Sequence, residues 1–437
     1  MMTHRPRTGC NRPLASASLA WALLLTLGAC AAADGVDDRL AALKAAGEPV
    51  TLAEAAPAPV PDDDNAALYW LDGCAALVPG GDDLYAGLDV DDPVVLGLVR
   101  SQVARDSEAL AYALEAATRD RCRFPLEYEK GLAMMLPHLS QVRQMARFLR
   151  CAALASALDG DPAEAAERLR LGFVLARHVT QDPILIGLLV GIAIDSMMVE
   201  ASAQVMALGR IPTRQAQALS AELGKLDYAD CLVRALRTER CMGLQVFGQV
   251  QGGTAGVAAI IAGGEDGKEP APEELEQYLQ AGGLERDRLA YLDTLAGAIE
   301  LAALPWRESK DRWEELEQSV AQQQGAPLAR EFLPALGRVG PKRDEAVARR
   351  GLLQAALALI EDWYQDEQYP ETLAAARTEE FAIPPDVFSG EEFIYKAEGG
   401  QVTLYSIGPN LQDDGGYWGN PEPGDDIAWP PAPKQQG

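Results

Sequence analysis

Two Asp-Pro pairs, Asp161-Pro162 and Asp182-Pro183, stand 21 residues apart. Proline fixes φ and lacks an amide proton, so it suits the first position of a helix, where that amide has no partner. The aspartate before it is a strong N-cap. Two such starts predict consecutive antiparallel helices. Behind the first, Ala165, Leu169, Phe173, Val174 and Ala176 keep helical spacing up to His178. Behind the second, the pattern runs through Ile184, Leu188, Val190, Ile192, Met197 and Val199 to a stop near Gly209. The first turns of that helix are apolar nearly all round, which marks a central, buried helix. Asp195 interrupts the run, and its unbroken apolar stretch falls short of a membrane span.

The same pattern extends over most of the chain. Thr213 to Leu223 reads as a helix. Pro137 separates a short helix near Leu132 from one over about 139–158. Helices resume from Pro272 to about Ala303, followed by a charged stretch from Trp306 to Gln324. Asp344 to Gln365 is one amphipathic helix, with Val347, Leu353, Ala356, Leu357, Ile360, Trp363 and Tyr364 on its apolar face. Aromatics are only 6% while Ala and Leu abound, which leans the same way. No strict repeat period appears, so a regular solenoid is not expected. Residues 250–275 are an acidic, Gly-rich loop around a short Ala/Ile run, Thr254 to Ala262. That run reads as a packed loop, a surface hairpin or a partner-binding helix.

The two ends differ from this body. Residues 1–12 carry Arg5, Arg7 and Arg12 and no acidic residue, and Leu14 to Ala29 is almost unbroken apolar. A basic segment before a short apolar one is a secretory signal. Residues 31–64 read as a solvated tether with one short helix near 40–46, broken by Pro49, Pro57, Pro59 and Pro61 and closed by Asp62-Asp63-Asp64. At the other end, Phe393, Ile394 and Tyr395 form one short strand and Val402, Leu404 and Tyr405 another. Gly399-Gly400 between them signals a hairpin. The remainder is Gly-, Asp- and Pro-rich loop ending in Trp429-Pro430-Pro431. The fold class is mainly α: an irregular antiparallel helical domain, then a long helix and a small antiparallel β head. The expected divisions are a signal peptide (1–29), a tether (30–64), the helical domain (65–337) and the long helix with its head (338–437).

Three segments resemble known proteins. Leu27-Gly28-Ala29-Cys30 resembles a bacterial lipobox. The resemblance implies that Cys30 is lipidated and that the chain is a cell-envelope lipoprotein. Ala31 stands where an inner-membrane retention aspartate would be, which implies an outer-membrane protein facing the periplasm. A soluble periplasmic or secreted protein is the alternative. The C-terminal fifth resembles the head of a type II secretion major pseudopilin. The motifs are Tyr369-Pro370, Asp386-Val387-Phe388-Ser389-Gly390, the strand and turn Leu404-Tyr405-Ser406-Ile407-Gly408-Pro409-Asn410, and the acidic Asp413-Asp414-Gly415-Gly416 with Asp425-Asp426-Ile427. In that family the acidic loop binds calcium. The usual glycine before Tyr-Pro is replaced by Asp366, Glu367 and Gln368, and the chain lacks a prepilin-type N-terminus, so fibre assembly is not expected. The middle region, with Asn65-Ala66-Ala67 and Leu136-Pro137-His138-Leu139, resembles uncharacterised helical envelope proteins of planctomycete-like bacteria. That likeness carries no activity.

Calcium also has a physical argument. It takes six to eight oxygen ligands, and Asn410, Asp413, Asp414, Asp425 and Asp426 offer them among glycines that let carbonyls turn inward. The spacing is not that of an EF-hand, because Pro421 falls where the bidentate glutamate belongs. The ion would be structural. Other candidates are weaker. Glu127 and Glu129 are at i,i+2, which puts a helical pair on different faces. Glu239-Arg240 reads as an ion pair. His138 and His178 read as structural cations near helix ends. Cys74, Cys122, Cys151, Cys231 and Cys241 are either buried thiols or include a Cys74–Cys122 bridge. The net charge of −27 argues against nucleic acid. No nucleophile elbow, phosphate loop or dinucleotide fingerprint appears. The leading expectation is a non-enzymatic, membrane-anchored scaffold or partner-binding module with a calcium-tied head, linked to an envelope or secretion-machinery protein. The alternative is an envelope hydrolase with its active site in the helical domain.

Overall fold

A computed structural model places helices where the Asp-Pro pattern asks for them. It describes residues 35–87, 92–250, 272–322, 336–398, 400–416, 418–419 and 424–431. The leader, Cys30 and the Thr254 to Ala262 run lie outside the described residues. The chain divides into two compact units, residues 1–47 and 48–437. In the first, the described element is helix α1 (Val36–Ala45).

The second unit opens with the single turn α2 (Leu52–Ala55), then α3 (Ala66–Ala76), α4 (Gly81–Ala86), α5 (Pro93–Arg105) and α6 (Ser107–Ala116). These pack on one another and on α7 (Pro137–Leu158). Helices α7, α8 (Pro162–Val179) and α9 (Leu185–Leu208) form the centre. Asp161 caps α8 by accepting from the Glu164 amide at 2.9 Å. The second Asp-Pro pair does something else. Ile184 is the N-cap of α9, while the Asp182 carboxylate accepts from the Phe124 amide at 3.0 Å and the Tyr128 hydroxyl at 2.9 Å.

Helices α10 (Thr213–Leu223) and α11 (Tyr228–Val250) follow. The stretch expected as one helical region from Pro272 splits into α12 (Pro272–Gln280) and α13 (Gly283–Ala302). The charged segment forms α14 (Trp306–Gln322). The long helix α15 (Leu336–Asp366) starts earlier than expected and carries Pro341 near its beginning. Strands β1 (Ile394–Glu398) and β2 (Gln401–Ser406) make the expected hairpin. A further strand, β5 (Ile427–Trp429), pairs antiparallel with β2, in a stretch expected as loop. The two-residue strands β3 (Trp418–Gly419) and β4 (Gly424–Asp425) pair beside it.

Helix α15 binds the body to the head. Its buried Arg350 donates to the Asp195 carboxylate of α9 at 2.5 Å and to the Leu223 carbonyl at 2.7 Å, satisfying the end of α10. Its Arg343 donates to the Leu304 carbonyl just past α13, while the neighbouring Asp344 accepts from the Trp306 amide that opens α14. Gly351 lets Phe393 of the head lie against the helix backbone. A Cβ there would stand 2.7 Å from the Phe393 ring. One apolar cluster runs from Phe173 and Met198 through Leu353 and Leu357 to Phe388, Leu404 and Ile427. The expected boundary near residue 337 is therefore not a gap in the core.

Part of the segment expected as a tether, residues 30–64, belongs to the 48–437 unit. From Glu48 onward it is docked. Glu48 accepts from Arg237 at 2.6 Å and from Arg240 at 2.8 Å, and Leu52 is buried with Tyr128, Met134 and Met242. Burial alone would raise the Glu48 carboxyl, but the two guanidiniums outweigh it and hold it below the usual range.

Candidate functional site: the acidic C-terminal loop

The hairpin turns into the acidic loop through the Ser406-Ile407-Gly408 segment. Gly408 has φ +65° and lies against the Asp425 carbonyl, where a side chain would collide. Asp386 fastens this junction from the other side. Its Oδ1 accepts from the Phe388 amide at 3.1 Å and the Ser406 hydroxyl at 2.7 Å.

Beyond that junction the structure brings together Asn410, Asp414, Asp425 and Asp426. Asn410 Nδ2 donates to Asp414 Oδ2 at 2.8 Å, and the Asp425 amide reaches the same oxygen at 3.2 Å. Asp426 Oδ2 accepts from the Asp414 amide at 3.1 Å and the Gly416 amide at 2.7 Å. Asp413 turns aside, accepting from the Tyr405 hydroxyl and the Gly415 amide, each at 2.9 Å. The Asp425 residue is exposed.

Asp426 is the exceptional member. It is buried, and its Oδ1 has no hydrogen-bond partner among the described residues. Burial pushes its carboxyl up, two backbone amides oppose this, and Asp414 and Asp413 push it further up. An oxygen-only donor set suits a hard cation. Among the described residues, however, no three His, Cys, Asp or Glu side chains converge so as to hold a metal ion.

The remaining candidates are placed elsewhere. Glu127 is exposed and pairs with Lys130 at 2.5 Å, at the N-cap of a 3-10 segment rather than in an α-helix. Glu239 and Arg240 are not partners. Arg240 serves Glu48, and Glu239 lines an apolar cleft, where burial raises its carboxyl against the Leu185 amide. The histidines are not cations at neutral pH. His178 accepts from Trp70 Nε1 at 2.9 Å, and burial holds it down to about 3. His138 stacks on Phe124, and burial holds it down to about 4. All five described cysteines are buried free thiols, so the Cys74–Cys122 bridge does not form.

Two sites were not legible in the sequence. One is the Glu239 cleft. The other is a polar cleft of about 280 Å³ between α5, α6, α7 and α8. There Asp159 pairs with Arg100 at 2.5 Å, Glu164 pairs with Arg168 at 2.5 Å, and Asp161 caps α8. Comparison with known proteins finds no family model, no curated protein and no solved structure that matches the chain.

Proposed function

We propose that this chain is a non-enzymatic cell-envelope lipoprotein. Acylated at Cys30, it is held on the outer membrane facing the periplasm. Its helical body serves as a scaffold or partner-binding module. Its head, similar to a type II secretion pseudopilin head, is tied by a structural calcium ion and linked to that machinery.

The observation that carries this reading is Asp426, a buried carboxylate with one oxygen on two backbone amides and the other without a partner, beside Asp413 and Asp414. A divalent cation would supply the missing partner and relieve the mutual repulsion of the carboxylates. The non-enzymatic reading draws support from the polar cleft, whose carboxylates are already committed to ion pairs and a helix cap.

The test is thermal unfolding of the mature chain with millimolar calcium and with chelator. A calcium-dependent rise in midpoint, lost in Asp426→Asn, is the expected result. An unchanged midpoint would overturn the calcium site and leave the head similar to a pseudopilin in sequence only.

A further inference from the structure

Among the described residues, three of the most exposed large apolar side chains are Met135 at 75%, Leu132 at 61% and Ile186 at 47% exposure. Leu132 and Ile186 line an apolar cleft of about 320 Å³ between the 3-10 segment at 128–133, the start of α9 and α11. Met135 lies on the same loop, between the lining residues Met134 and Leu136. The one acidic side chain in the lining is Glu239. Solvent-facing apolar side chains gathered around an open cleft mark an interaction surface rather than ordinary scatter.

The path of the chain indicates what covers it. Leu52 shares an apolar cluster with Met134, Ile184 and Met242, three of the cleft's own lining residues. Glu48 is pinned to Arg237 and Arg240 on α11, the helix that also supplies Glu239 and Met242. The polypeptide therefore leaves the 48–437 unit beside this cleft. Cys30 lies 18 residues upstream of Glu48. With α1 formed, that length reaches at most ~40 Å.

We propose that this face is a membrane-contact surface, in which Leu132, Met135 and Ile186 enter the interfacial layer of the bilayer that holds the chain's own lipid. The proposal rests on the lipoprotein reading for the anchor. The anchor makes a weak apolar contact effectively intramolecular, so a small patch suffices. The net charge of −27 disfavours an anionic lipid surface and points to zwitterionic lipid.

The test uses the mature lipidated chain with Met135→Cys carrying an environment-sensitive fluorophore. The five described native thiols are buried, and an acylated Cys30 has none free, so the new thiol labels selectively. The control label is at Leu98→Cys, 54% exposed on α5. On zwitterionic vesicles with brominated acyl chains, the label at 135 is expected to shift blue and be quenched severalfold, while that at 98 is unchanged. Leu132→Ser with Ile186→Ser should abolish the quenching. Three results would overturn the proposal: no shift at 135 on vesicle-bound protein, an equal shift at 98, or a shift that follows protein concentration without vesicles and so reports a second copy. Intact mass reads the acylation of Cys30 separately. Should Cys30 be unmodified, Cys30→Ser keeps the label unique to position 135, and it is read at saturating vesicle concentration. There a shift keeps the surface and discards the anchor, and no shift discards the surface.

Discussion

In the helical body, α7, α8 and α9 meet through side chains closed to solvent, Phe148, Phe173 and Met198 among them, and each helix interior satisfies its own backbone. In the head, β-structure is short, and aspartates do much of the backbone's work. Asp386, Asp413 and Asp426 accept from loop amides and hydroxyls that no strand partner serves. The first kind of order depends on burial and tolerates salt and pH until a buried group must ionise. The second depends on how the crowded charge of those carboxylates is relieved, by backbone amides, by a proton or by a cation. One chain thus contains two regions whose stability should answer to different perturbations.

The sharpest way to break that contrast is at the joint. Asp195→Ala leaves Arg350 charged and buried without its partner, and such a loss costs about 3–5 kcal/mol. Denaturant unfolding should show body and head failing together, and Asp195→Leu with Arg350→Met should recover most of the loss. A next, smaller effect separates the regions. Gly351→Leu forces Phe393 off α15, a clash worth about 2–3 kcal/mol. Amide exchange should rise through β1, β2 and β5 while α7 and α8 keep their protection.

Acid should pull the two regions in opposite directions. His178 and His138, held down to about 3 and about 4, stay neutral in the fold, whereas the unfolded chain protonates near 6.5. Their stability is complete above pH 6.5 and is lost progressively as the pH falls from there towards about 4 and about 3. Asp182, pushed up to about 6, runs the other way and offsets part of the loss. Taken alone, these three groups sum at pH 5 to a loss of ~3 kcal/mol. Asp426 is also raised, so the folded head binds its proton more tightly than the unfolded chain. Mild acid should therefore firm the loop while it weakens the body, a divergence that chemical-shift titration would record. The smallest expected effect is at Lys130→Ala, an exposed pair with Glu127, where a change in midpoint above that of about 0.5 kcal/mol would contradict its surface character.

Local grammar carried most of the body into the sequence. Asp161-Pro162 starts a helix through contacts within three residues, and α10 follows the expected span from Thr213 to Leu223. What stayed hidden depends on partners far along the chain. His178 looked like a helix-end cation because nothing local reveals Trp70, 108 residues away. Arg343 and Arg350 sit in an amphipathic pattern that does not say which carbonyls they will satisfy. Strand β5 is three residues long and exists because β2 offers it an edge. In the acidic loop, the residue types pointed to an ion, but the difference between Asp413, which bonds Tyr405, and Asp426, which keeps an oxygen free, arises only from packing.

The buried thiols have one more consequence. Cys74, Cys122 and Cys151 lie under the first helices, and Cys231 and Cys241 on α11. Burial pushes Cys74 and Cys151 up to about 12 and Cys122 well above the ordinary thiol range, so almost no thiolate exists to react while the structure stays closed. Each sulfur is then a clock that runs only while the structure around it is open. Among the described residues these clocks are confined to the body, so the rate of alkylation counts its local openings and stays silent when the head alone comes loose.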